Sequence, residues 1–255
     1  MNYNNKIILF LALLLTYIRV SNAMSFSDVD DAISFIKINK VKEAIAQGFN
    51  LNSRDFSIQD ADLSNSLLDT AIETAGYHIE KNNNKKDNAI KILELLLQSG
   101  ANVNSIGEWG WTPLQNALSE DPEIIVINIL LKYGAEVNEK ILKRAQSISS
   151  EIKDLITYYY NLFNKAKTLN NKSELKDILN EAIVKDYSAI VKYLIKKDVR
   201  ITQKDLESAK ANNSKVVGRI LVNYYNRILI LSQISVQDNN MPLEILERII
   251  KLAIN

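Results

Sequence analysis

The chain has no cysteine, a single histidine, seven glycines and three prolines in 255 residues. Without cysteine there is no disulfide, no thiolate nucleophile and no cysteine-ligated zinc. His78 is the only imidazole and lies in a polar stretch, so it reads as an exposed loop residue and not as a catalytic base, and a metal site has no second histidine to draw on. So few glycines and prolines exclude a fold dominated by turns and strands, and helices are expected to carry it. There is no surplus of charge either: 31 Lys and Arg stand against 30 Asp and Glu, for a formal net charge of +1. Such a balance provides no long-range attraction for nucleic acid. No Gly-rich phosphate loop occurs. Asp28, Asp30 and Asp31 lack the glycine and distal glutamate of a calcium loop and read as acids favouring a helix start. No cofactor or metal is expected. Carboxylates are plentiful, but no pair stands out from the alternation of charge on solvated helices.

What is present is a chain 47% hydrophobic and 24% charged, ordinary for a folded protein. Its first 23 residues read as a secretory signal. Lys6 supplies a positive start, Ile7–Ile18 is apolar apart from Thr16, and Ser21-Asn22-Ala23 sets small residues before Met24. Cleavage is expected between Ala23 and Met24, which makes the mature chain secreted or periplasmic. It also removes Lys6 and Arg19 and no acid, moving the formal charge from +1 to −1. An apolar helix of twelve residues spans about 18 Å against a hydrocarbon core of about 30 Å, so no stable membrane span is expected. The competing readings are an uncleaved anchor, or a cytosolic chain that starts at Met24.

A block then recurs. Leu96-Leu97-Gln98-Ser99-Gly100-Ala101-Asn102-Val103-Asn104 is matched 34 residues later by Leu130-Leu131-Lys132-Tyr133-Gly134-Ala135-Glu136-Val137-Asn138. Gly110-Trp111-Thr112-Pro113-Leu114-Gln115-Asn116-Ala117 stands between them. Thr112 is placed to cap a helix whose first turn accepts Pro113, where no backbone donor is needed. Gly100 and Gly134 follow apolar helices and fit a left-handed helix end. Leu93, Leu96 and Leu97 share one helix face, as do Ile127, Leu130 and Leu131 one unit on. A helix pair apolar on both sides must be stacked.

These segments resemble the ankyrin repeat, with its G-x-T-P-L-H-x-A, L-L and G-A-x-V-N elements. The resemblance is specific over residues 90–138 and degenerate elsewhere. It implies an all-α fold, a solenoid of stacked helix pairs joined by short hairpin loops. Units are expected at about 26–52, 64–104, 109–138, 139–170, 173–201 and 202–231. Asn240-Met241-Pro242 then opens a cap helix, 241–254, with Leu243, Leu246, Ile250 and Ile254 on one stripe.

Two departures from the pattern are legible. Ala71 to Gly100 is about a dozen residues longer than Ala117 to Gly134, and Gly76–Asp87 is expected to be a polar insertion loop that carries an exposed His78. Asp198-Val199 replaces Gly-Ala, which makes the left-handed end less secure there. A longer echo relates Lys140–Ala145 and Leu155–Asn161 to Lys204–Ala209 and Ile220–Asn226. It places Tyr158-Tyr159-Tyr160 and Tyr224-Tyr225 in corresponding positions, where packing is favoured over a second adhesive surface.

The resemblance implies a protein-interaction module without catalytic activity, its partner another protein and not a nucleic acid. Its partner-contacting positions fall on Glu108, Trp109, Trp111, Ser119 and Glu120. Both tryptophans of the chain lie in that group, and tryptophan is enriched at interface hot spots. The competing functions are a carboxylate- or tyrosine-based enzyme in the degenerate C-terminal half, and a self-associating cell-envelope protein.

Overall fold

The computed structural model describes residues 24–53, 66–107, 110–119 and 122–238. The expected signal peptide and the expected cap helix, 241–254, lie outside them. The described residues form twelve α-helices and no strand, so the fold is all-α. They fall into two compact units, Met1–Asn102 with Gly107–Gly110, and Val103–Ile106 with Trp111–Asn255.

The first unit holds α1 (Phe26–Ser34), α2 (Ile38–Ala46), α3 (Leu67–Glu80) and α4 (Lys86–Gln98). These are two helix pairs, with α1 packed on α3 and α2 on α4. Val29, Ile33, Val41, Leu67, Leu93 and Leu96 are fully buried between them. Thr70 Oγ1 donates to the Asp30 carboxylate at 2.6 Å and ties α3 to α1.

The second unit holds α5 (Pro113–Ala117), α6 (Ile124–Tyr133), α7 (Glu139–Ala145), α8 (Ser150–Thr168), α9 (Lys172–Val184), α10 (Ser188–Lys196), α11 (Gln203–Ala211) and α12 (Lys215–Asp238). Consecutive helices pair, and α6, α8, α10 and α12 make a row of second helices. The row is not simple, because α6 touches α10 as well as α8. A Cβ added to Gly134, at the end of α6, would lie 3.2 Å from Ser188 Oγ and 3.5 Å from Ala189 Cβ, at the start of α10. None of the described helices is long and apolar enough to cross a membrane.

Helix starts follow one rule. The first helix of each pair has a side-chain device at its N-terminus, which satisfies backbone donors left without partners. Ser25 with Asp28, Ser66 with Asp69 and Thr112 with Gln115 are reciprocal capping boxes. Asn138 and Asn171 cap α7 and α9. The Asp205 carboxylate accepts the Thr202 N–H at 2.6 Å. The second helices α2, α4, α6 and α10 have no side-chain cap.

Helix ends follow another rule. Ile36, Gly48, Asn82, Gly100, Gly134, Asp186, Asp198 and Asn213 all have positive φ just past a helix. In each case the next residue's N–H reaches back five residues, as Ala101 to Leu96 O at 3.0 Å and Ala135 to Leu130 O at 2.9 Å.

Two expectations are corrected here. Asp198 takes φ 63° and Val199 N–H still reaches Leu194 O at 3.1 Å, so the helix end closes without glycine. Aspartate tolerates this conformation because its short polar side chain relieves part of the steric cost. The second correction concerns Gly76–Asp87. Helix α3 runs on to Glu80 and α4 begins at Lys86, so the extra residues lengthen both helices and leave only 81–85 as a turn. The apolar stripe of α3 continues through Ala71, Ala75 and His78, all buried. His78 is therefore no loop residue: its Nδ1 lies 2.7 Å from Asn83 Nδ2.

Candidate functional site

Of the five positions expected from sequence to contact a partner, Trp111 and Ser119 lie among the described residues; Glu108, Trp109 and Glu120 lie outside them. Trp111 stands just before the capping box that starts α5. It is half-buried, and the Arg144 guanidinium of α7 sits over its ring at 5.6 Å from the centroid. Arg144 is fixed in turn: its Nε donates to Leu118 O at 2.8 Å, one of the orphan carbonyls at the end of α5. Trp111 is thus a rigid aromatic surface held against a cation, a contact worth about 0.5–1 kcal/mol at exposed sites. Ser119 is half-buried, and its hydroxyl donates to Asn116 O at 2.6 Å. That bond is local and leaves the oxygen lone pairs for other donors.

Two asparagines tie together the segments that follow successive helices, a role that no sequence expectation covers. In the first unit, Asn52 Nδ2 donates to Gly100 O at 3.2 Å and its Oδ1 accepts the Asn102 N–H at 2.7 Å. In the second, Asn104 Nδ2 donates to Gly134 O at 3.1 Å and its Oδ1 accepts the Glu136 N–H at 2.9 Å. The amide copies a backbone pairing from one block to the next. The signal was present in the recurrence of asparagine at the end of Gly-Phe-Asn-Leu-Asn52 and Gly-Ala-Asn-Val-Asn104. Asn138, in the same position, instead turns to cap α7 through Ile141 N–H.

The tyrosine groups pack. Tyr159 and Tyr224, which correspond in the longer echo, are both buried. Tyr159 meets Tyr187 edge-on with centroids 4.8 Å apart, and Phe163 meets Tyr193 at 5.5 Å. Tyr158 donates its hydroxyl to Glu181. Burial, and then that bond, raise the Tyr158 hydroxyl well above the ordinary phenol range. Burial raises Tyr159 likewise and pushes Tyr187 up to about 12. All three hold their protons at neutral pH.

Among the described residues, no three His, Asp or Glu side chains are grouped so as to hold a metal ion. Asp186, buried past the end of α9, accepts the N–H groups of Val217 at 2.7 Å and Val216 at 3.0 Å, at the start of α12. Burial raises its carboxyl in spite of these donors and of nearby Lys132 and Arg219. Lys197 is a second device with no signal in the sequence. Its ammonium donates to the carbonyls of Ala166, Lys167 and Leu169 at 3.0, 2.9 and 2.6 Å, closing the end of α8.

Comparison with models of known protein families finds no match. Nor is any of the curated proteins significantly similar to the chain.

Proposed function

We propose that this is an exported, non-catalytic protein-interaction module of the ankyrin-like kind, which binds another protein through the surface around Trp109 and Trp111. The observation that carries the reading is the asparagine link. Asn104 ends the Gly100–Asn104 block that carries the G-A-x-V-N resemblance, and Asn52, at the end of Phe49-Asn50-Leu51-Asn52, makes the same two-bond contact to the segment after the next helix pair. A chain that repeats such a contact holds its hairpins in register, and residues set upon them form a preorganised surface. Trp111, held by Arg144, has the rigidity and the aromatic area of a hot spot. Glu108, Trp109, Ser119 and Glu120 complete the proposed contact set.

The tyrosine-based enzyme is the weaker reading. Tyrosine acts as a base or nucleophile when its pKa is lowered, whereas Tyr158, Tyr159 and Tyr187 are all raised.

The test is affinity capture with mature chain 24–255 as bait beside the Trp109→Ala/Trp111→Ala double variant. The reading expects a protein retained by the first bait and lost from the second, with the helical content of both baits equal. A protein retained equally by both would overturn the assignment of the surface.

A further inference from the structure

Arg144, in the last turn of α7, is exposed, yet two contacts hold it. Its guanidinium lies over the Trp111 ring at 5.6 Å from the centroid, and its Nε donates to Leu118 O at 2.8 Å. A free arginine loses much rotamer freedom when it binds a ligand; this one has lost it beforehand. Its two Nη groups have no partner among the described residues. With Nε already bonded, the Nε–Nη side of the guanidinium is closed to a carboxylate. The end remains, where Nη1 and Nη2 form a fork that matches two carboxylate oxygens.

Helix α7 adds a second cation on the same side. Lys140 and Arg144 are four residues apart and so share one helix face. Both are exposed, and neither makes an ion pair among the described residues. Like charges at this spacing repel, and Lys140 also stands in the first turn, where the helix dipole disfavours a cation. The one acid of α7, Glu139, is four residues from Lys143, which puts it on a different line of the helix. Local structure therefore gives no reason for the Lys140–Arg144 pair, whereas a carboxylate set beside it relieves the repulsion. The chain as a whole is balanced in charge, which favours a single acidic group over a polyanion as that ligand.

Taking the tryptophan surface as the site of the partner, we infer that Arg144 reads an acidic side chain there. The partner segment sets an Asp or Glu carboxylate on the Nη fork of Arg144, with Lys140 beside it and an apolar side chain against Trp111. The probe is a phage-displayed library of random peptides, selected on the mature chain 24–255. Selected peptides should carry Asp or Glu next to an apolar or aromatic residue. One of them is then made with the acid and with its amide. Each form is titrated against the parent chain and Arg144→Gln, with far-UV circular dichroism of both chains to check folding. On the parent, the amide form should bind about tenfold weaker or more. On Arg144→Gln the two forms should bind alike, because the group that meets the acid is gone. A substitution that merely loosened the Trp111 ring would weaken both forms and keep the gap between them. Lys140→Gln should narrow the gap by a smaller factor. Peptides that are lost with Trp111→Ala, but that need no acid or keep the gap on Arg144→Gln, overturn the inference and leave the tryptophan surface standing. Binding undiminished by Trp111→Ala overturns both. An empty selection overturns the inference alone, since capture of a protein partner tests the surface independently.

Discussion

The side chain of Asn104 and the backbone of Gly134 are joined at 3.1 Å, and Asn104 takes the Glu136 N–H at 2.9 Å in return. The same pair of bonds joins Asn52 to Gly100 and Asn102. An amide is required, because only an amide offers a donor and an acceptor side by side at that reach. Asn104→Ala should cost about 1–3 kcal/mol in urea unfolding, the cost of two hydrogen bonds at a partly buried site. Asn104→Asp keeps the acceptor but turns a carboxylate toward the Gly134 carbonyl, and should lose as much. Full stability of Asn104→Asp would refute the role of the donor.

Gly100 and Gly134 share φ 98°, but only Gly134 is crowded. Alanine at either position carries the backbone penalty of a left-handed residue, about 1–2 kcal/mol. At Gly134 the added Cβ also meets Ser188 Oγ at 3.2 Å. Thermal melting should therefore rank Gly134→Ala below Gly100→Ala. Equal melting temperatures would mean that the α6–α10 contact yields without cost.

Asp186 provides a pH test. Its carboxyl is raised, so the native state holds its proton more tightly than the unfolded chain does. The stability this group contributes is fully present below its unfolded pKa and is lost as pH rises through the folded value. Asp186→Asn keeps an acceptor for Val216 and Val217 and tolerates φ 63°. It should melt above the parent at pH 7, and the gap should close toward pH 3. A lower melting temperature at pH 7 would show that the charge itself stabilises α12.

Lys197→Met removes three charge-assisted bonds to the end of α8 while keeping most of the stem. Because water replaces part of what is lost at this half-buried site, the cost should be about 1–2 kcal/mol in chemical denaturation. No measurable change would make the three carbonyl contacts incidental.

Much of the fold was legible because it rests on local chemistry. Helical content, the Thr112 cap and the left-handed ends at Gly100 and Gly134 follow from residue type and spacing alone. The corresponding burial of Tyr159 and Tyr224 follows from the longer echo. What sequence missed depends on tertiary context. The polar composition of Gly76–Asp87 suggests a loop, yet only one side of a helix needs to be apolar, and Ala75 and His78 supply it as far as Glu80. At Asp198 the missing glycine suggests a weaker helix end, whereas the closing bond from Val199 to Leu194 O uses backbone alone. The contact of α6 with α10 joins segments more than fifty residues apart, and no spacing rule predicts it. For the candidate site, the sequence pattern points to Trp111 but carries no sign of Arg144, which lies one helix further on and sits over the ring.

Binding of a protein partner by the tryptophan surface is open to one decisive titration. A partner retained by the mature chain is titrated calorimetrically against that chain and against Trp111→Ala, with melting curves of both. Binding should weaken by about 2 kcal/mol or more, roughly thirtyfold in Kd. The melting temperature should drop only slightly, from the lost Arg144 contact. Unchanged affinity with a collapsed melting temperature would instead make Trp111 a packing residue.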